Sequence, residues 1–192
     1  MKKTASIVSL GGWNPRIFTP DWVSVNVFSM PEGDSMNVSI NEKQMNLTYT
    51  WKDIQLSITD RGVEMKANAE SHDTLKEMEG IYNHLSEILP YTPVSAVGYN
   101  FSVVLTKEEF GKTDIAGISV PKDIYIYTCN SQTFVANKDG AIRSFDIRRK
   151  NDGVEIRCNF HYNMPQSNMA DSSIFDIIIL ELKHFLGYEL SF

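Results

Sequence analysis

The sequence predicts an α+β fold in which antiparallel β-meanders carry helices packed on one face. Short alternating segments separated by turn residues indicate strands. Two longer segments with apolar residues at helical spacing indicate amphipathic helices. A seven-residue segment also occurs twice: residues 62–68 read Gly-Val-Glu-Met-Lys-Ala-Asn, and residues 153–159 read Gly-Val-Glu-Ile-Arg-Cys-Asn.

The repeated segment predicts an internal duplication. Each copy precedes a helix-like segment and then a Gly-Tyr pair, at 98–99 and at 187–188. We therefore predict a single compact domain over 1–192, built from two pseudo-repeated halves at about 1–106 and 107–192. The predicted unit is a β-meander, a helix and a strand. The pattern leaves open whether the halves share one sheet or form two stacked lobes.

The first half contains two helix starts with defined capping residues. Thr19, Pro20 and Asp21 supply an N-cap, a first-turn proline and a first-turn acid. Ser71 begins the second helix, which Pro90 ends. The predicted elements are, in order, a strand at 6–10, a helix at about 20–28, a meander over 36–69, a helix from about 71 to 89 and a strand at about 95–105.

The second half opens on an irregular connection at 107–122, and a long connection in a compact domain is functional or mobile. Asp139-Gly140 and Asp152-Gly153 have the residue types of hairpin turns. The predicted elements are strands at 124–129, 133–137, 141–149 and 154–162, a helix capped by Asp171-Ser172 that runs to about Phe185, and a short strand at 188–192.

Composition favours a cytoplasmic globular protein. The net charge is −6, with 22% charged residues, which disfavours a general nucleic-acid binder. No secretory signal or membrane-spanning stretch is predicted. Cys129 and Cys158 have no metal-binding spacing and fit buried thiols in a reducing compartment. The basic cluster is interpreted as a solvated hairpin, with a nucleic-acid site as the alternative; its members are Arg143, Arg148, Arg149 and Lys150.

The sequence carries no common catalytic, cofactor-binding or metal-binding motif, so no catalytic residue, cofactor or metal is predicted. Two polar rows are candidates for a cleft, although a solvated strand face has the same pattern. The first row is Glu64, Lys66, Asn68 and Glu70, and the second is Glu155, Arg157, Asn159 and His161. An enzyme site combining the second row with Tyr99 and Asn100 is the alternative function.

Aromatic residues near the beginning of the chain are either core residues or anchors of a protein interface. Together with apolar residues of the irregular connection they form the predicted partner-binding set: Trp13, Phe18, Trp22, Phe110, Ile115 and Ile118.

Two segments resemble proteins of bacteria. Residues 14–22, read after a strand, are similar to a group of uncharacterised bacterial proteins of about this size, and residues 93–101 are similar to a sporadically distributed bacterial family. The resemblance implies a mobile-element or antiphage-defence setting, in which small accessory proteins often bind other proteins. With the absence of catalytic motifs, it predicts a non-catalytic cytoplasmic interaction module whose partner is another protein. A homodimer is compatible with it, whereas nucleic acid and membrane are not expected partners.

Overall fold

The computed structural model describes residues 2–41, 46–68, 71–111, 131–138, 140–149, 153–163 and 173–187. These residues form one nine-stranded sheet in the order β2-β3-β4-β5-β1-β6-β9-β8-β7, with antiparallel neighbours. The strands are β1 (Lys2–Gly11), β2 (Asn37–Asn41), β3 (Asn46–Trp51), β4 (Ile54–Ile58), β5 (Gly62–Asn68), β6 (Val94–Thr106), β7 (Ser131–Lys138), β8 (Ala141–Arg149) and β9 (Gly153–Asn163). The helices are α1 (Pro20–Asn26), α2 (His72–Ile88), α3 (Lys107–Gly111) and α4 (Ile174–Leu186). This architecture agrees with the predicted α+β class.

The two halves of the chain share this sheet. At its centre β1 pairs with β6, β5 lies on the far side of β1, and β9 lies on the far side of β6. Strand β1 is therefore flanked by β5 and β6, and β6 is flanked by β1 and β9. This pairing decides between the two arrangements that the sequence left open.

One face of the sheet carries the core. A register line across six strands places large apolar residues opposite one another, and each is at most 2% exposed: Tyr49, Leu56, Met65, Ile7, Tyr99 and Phe160. Helices α1, α2 and α4 cover this face, because burying such a row requires a second layer. The Tyr82 hydroxyl of α2 lies 3.2 Å from the Ser9 hydroxyl, and the ring of Phe175 in α4 meets Tyr99 edge-on.

The helix starts follow the predicted capping, with one shift. Thr19 accepts a hydrogen bond from the Trp22 backbone N–H at 3.3 Å, and Ser71 accepts one from Thr74 at 3.2 Å. The last helix begins later than predicted, because Ser173 is its N-cap and accepts from the Asp176 N–H at 3.2 Å.

Helix α2 also reaches the start of α4. The Glu79 carboxylate accepts the Phe175 backbone N–H at 2.9 Å, one of the amides that a helix start leaves without an internal partner. The His72 ring lies 3.4 Å from the Asp176 carboxylate in the same region. The long helices of the two halves are thus joined by polar contacts as well as by the core.

Two sequence interpretations change in the structure. Strand β1 begins at Lys2 rather than residue 6, because pairing with β6 continues to its polar end. The two Gly-Tyr pairs are not equivalent, because Gly98 lies inside β6 whereas Gly187 ends α4 with a φ of 60°. The predicted strands at 124–129 and 188–192 and most of the connection at 107–122 lie outside the described residues.

Candidate functional site

The face of the sheet opposite α1, α2 and α4 carries polar side chains; we call it the polar face. It contains a groove of about 820 Å³ that crosses six strands, from β4 to β8. One register line of polar residues runs through the groove, which we call the polar row: Gln55, Lys66, Ser6, Asn100, Asn159 and Ser144. Six strands at the usual spacing place its ends roughly 24 Å apart.

Hydrogen bonds join the centre of the polar row across three strands. The Asn159 side-chain amide Nδ2 donates to the side-chain Oδ1 of Asn100 at 2.7 Å, and the Asn100 Nδ2 donates to the Ser6 hydroxyl at 3.2 Å. These contacts orient the side chains at the β1–β6–β9 junction. A preorganised set of amides and hydroxyls results, and such groups both donate and accept hydrogen bonds.

Matching ion pairs lie on the two repeated strands. Lys66 of β5 pairs with Glu64 at 2.8 Å, and Arg157 of β9 pairs with Glu155 at 3.1 Å. The second pair is reinforced by Ser102, whose hydroxyl donates to Glu155 at 3.4 Å. Both pairs join residues two apart on one strand, which therefore point to the same face.

The two polar rows that the sequence singled out therefore share one face. Lys66, Asn68, Arg157 and Asn159 all line the groove, whereas Glu70 lies outside the described residues. Of the central strands, sequence reasoning named Asn100 of β6 but missed Thr4 and Ser6 of β1. The available signal was the alternation of Thr4 and Ser6 with buried Ala5 and Ile7, and the same alternation along β6.

His161 lies at the margin of the polar face. Its Nε2 is 2.8 Å from the side-chain Oδ1 of Asn163, and the ring borders a second cavity of about 220 Å³ beside Gly98 and Asn159. Asn100 also borders this cavity, but Tyr99 points to the opposite, helix-covered face, where burial raises the pKa of its hydroxyl. The enzyme site proposed around His161 therefore keeps Asn100 and loses Tyr99.

The basic cluster does not form one patch. Arg143 is 4% exposed, points to the helix-covered face and pairs with Glu181 of α4. Arg148 lies on the polar face and pairs with Asp146 at 2.6 Å. Strand alternation puts residues separated by an odd number on opposite faces. The Arg149 side chain and Lys150 lie outside the described part of the structure.

The predicted partner-binding residues have different locations. Trp13 and Phe18 are 3% and 1% exposed and pack in the core, where the Phe18 carbonyl accepts a hydrogen bond from the Tyr49 hydroxyl. Trp22 is half-buried against Phe18. Phe110 belongs to α3 but its side chain is not described, and Ile115 and Ile118 lie outside the described residues. Of the three described side chains, Trp22 keeps the largest exposed surface.

Cys158 is a buried thiol, with 1% of its surface exposed, and burial raises the pKa of its thiol. Within the described ranges, no group of three or more His, Cys, Asp and Glu side chains has a geometry suited to a metal ion. No helix in that part of the chain is long and apolar enough to cross a membrane.

Comparison with known sequences adds no family assignment. No protein-family model matches the chain, and no curated protein matches it.

Proposed function

We propose that this chain is a non-catalytic interaction module that binds a segment of another protein along the polar face. The observation that carries the proposal is the polar row: six polar side chains in register across six strands, in a groove on the face opposite α1, α2 and α4. A continuous row with its central amides already hydrogen-bonded to one another is suited to recognising a ligand.

The chemistry of the groove favours a polypeptide over a polyanion. Lys66, Arg157 and Arg148 each lie beside a carboxylate on this face, so the positive charge is locally compensated. Nucleic-acid binding depends on cations that neutralise phosphates. Amides and hydroxyls, in contrast, match the alternating donors and acceptors of a peptide backbone. A groove roughly 24 Å long accommodates about seven residues of extended chain.

An internal duplication is part of this proposal. The repeated segments at 62–68 and 153–159 occupy corresponding positions, because each pairs with the strand that begins its own half. Thr4 is opposite Asn68 as Asn100 is opposite Asn159, and Ser6 is opposite Lys66 as Ser102 is opposite Arg157. The unit that fits this strand order is a strand, a meander and a helix. A duplication of this unit puts the boundary between the two halves of the chain near Val94, whereas the sequence pattern predicted it near 106.

A matched pair of tryptophan substitutions tests the binding surface. Ser144→Trp fills the groove at the end of the polar row, and Asn83→Trp adds the same indole to an exposed position on α2. We expect affinity capture from the native cells to recover a stoichiometric protein with the wild type and with Asn83→Trp. Recovery with Ser144→Trp should fall roughly tenfold, because the indole occupies space in the groove that the bound segment would fill and so clashes with it.

Two outcomes contradict the proposal. One is equal recovery of the same partner by Ser144→Trp, and the other is a wild-type protein that captures no stoichiometric polypeptide. Trp22→Ala is a third variant in the same capture experiment, and it tests whether the partner binds at the surface around Trp22. Loss of the partner in that variant alone would move the interface from the polar face to the exposed edge of Trp22.

A further inference from the structure

We propose that the groove on the polar face holds two identical extended segments, side by side and antiparallel, and that its partner is therefore a two-fold symmetric protein. The inference rests on the proposed function, because it takes the groove as the binding surface. Besides the polar row, a second register line of polar side chains crosses the groove two residues further along the strands. We call it the reverse row, and its members are Asn68, Thr4, Ser102, Arg157 and Asp146.

The reverse row matches the polar row when the two are read in opposite directions. From β4 to β9 the polar row reads Gln, Lys, Ser, Asn, Asn, and from β8 to β5 the reverse row reads Asp, Arg, Ser, Thr, Asn. The serines and the last asparagines are identical, and a cation stands second in each row. Half a turn of the sheet about an axis between the paired residues Ala5 and Phe101 exchanges the two rows. The groove therefore has approximate two-fold symmetry.

The ion pairs beside the groove follow the same symmetry. The half turn exchanges Lys66 with Arg157, and it exchanges their carboxylate partners, Glu64 and Glu155. In both halves the register puts the cation nearer to the axis than its carboxylate. The side chains of Lys66 and Arg157 are 55% and 48% exposed. A segment with an acidic side chain above the cation and a basic one above the carboxylate therefore has the same charge complementarity to either half.

The direction of a polypeptide decides how two segments occupy the groove. A segment that follows the polar row from β4 toward β9 meets matching groups on the reverse row only when it runs from β8 toward β5. Two identical segments are therefore antiparallel, which is how the two subunits of a two-fold dimer present one and the same segment. The rows lie about 7 Å apart, because two residues of a strand span that length, and neighbouring extended chains need only about 5 Å. Both segments fit side by side.

The mass of the complex and a matched pair of charge reversals test this inference. The probe is the polypeptide that the wild-type chain recovers from its native cells. Native mass spectrometry of the eluted complex should show one copy of this chain with two copies of that polypeptide. Lys66→Glu and Arg157→Glu each place a carboxylate against the acidic side chain of one segment, so each should lower recovery by about tenfold and to the same extent. The two Cα atoms lie roughly 16 Å apart, so the double variant should lose about a hundredfold.

Lys52→Glu is the matched control and should recover as much partner as the wild type. Lys52 is likewise an exposed, ion-paired lysine, but it pairs with Glu77 of α2 rather than with a carboxylate of the polar face. A complex with one copy of each chain overturns the inference and leaves the proposed function standing. Loss of the partner in only one of the two groove variants overturns it as well, because a single segment on one row gives that result. Recovery of no stoichiometric polypeptide contradicts the proposed function, and the inference falls with it.

Discussion

Glu181→Leu is expected to lower the free energy of unfolding by about 2–3 kcal/mol, because it removes a carboxylate, itself 24% exposed, from a buried guanidinium. The Glu181 carboxylate of α4 pairs with Arg143 of β8, and the guanidinium also lies 4.7 Å from the centre of the Phe160 ring. Arg143 is only 4% exposed. The substitution therefore removes one carboxylate from beside a buried cation, while burial continues to disfavour the charge.

The double variant Arg143→Met/Glu181→Leu is expected to recover most of this loss, because an apolar pair of similar volume does not require desolvation of charge. Arg148→Met is the matched control: it removes another ion-paired arginine of the same strand, whose side chain is 48% exposed. Its cost should stay below about 1 kcal/mol. Urea unfolding followed by circular dichroism measures all three. A neutral Glu181→Leu, or a double variant no more stable than the single one, contradicts the argument.

Glu79→Ala is expected to cost about 1–3 kcal/mol, because it leaves the buried Phe175 N–H at the start of α4 without its acceptor. Burial raises the pKa of Glu79, and the neighbouring Asp176 raises it further. The Ser173 hydroxyl and the backbone N–H groups of Phe175 and Ile174 act in the opposite direction. The net shift is upward, so the folded state holds the Glu79 proton more tightly than the unfolded state does.

The sign of the pH dependence follows from this shift. Stability contributed by Glu79 is fully present below its ordinary pKa of 4.5 and is lost as pH rises through the raised value. Glu79→Gln keeps an acceptor but cannot ionise, so its stability relative to the wild type should improve as pH rises through this window. Urea unfolding at several pH values tests the trend, with Glu87→Gln on the exposed side of α2 as control. A difference between Glu79→Gln and wild type that is independent of pH would falsify the assignment.

Local patterns in the sequence predict most elements but not their arrangement. The caps Thr19 and Ser71 and the alternation of Val63, Met65 and Ala67 give helices and strands because these signals involve neighbouring residues. The pairing of β1 with β6 joins residues half the chain apart, such as Ala5 and Phe101. No local signal identifies that pair, so the common sheet could not be derived from the sequence.

The candidate site was predictable in part for the same reason. Alternation placed Lys66 and Asn68 on one face of their strand and Arg157 and Asn159 on one face of another strand. These residues lie on the same side of one sheet because β1 and β6 join the two strands. Ser6 and Asn100 have no distinguishing motif, and their importance comes from cross-strand register. Trp13 and Phe18 were predicted as interface residues and lie in the core instead. The sequence did not distinguish these two uses, because an aromatic side chain has the same sequence pattern in a core as at an interface.

The central pairing of β1 with β6 has a consequence for synthesis on the ribosome. Strand β1 emerges from the ribosome before its partners β5 and β6, which begin only at Gly62 and Val94. During translation its apolar side chains, including Ile7, remain without the neighbours that later bury them. Contacts between distant residues slow folding, and transiently exposed strands are prone to aggregate. The nascent chain therefore passes through an interval in which β1 is made but its two neighbouring strands are not, and in that interval β1 is open to wrong pairing.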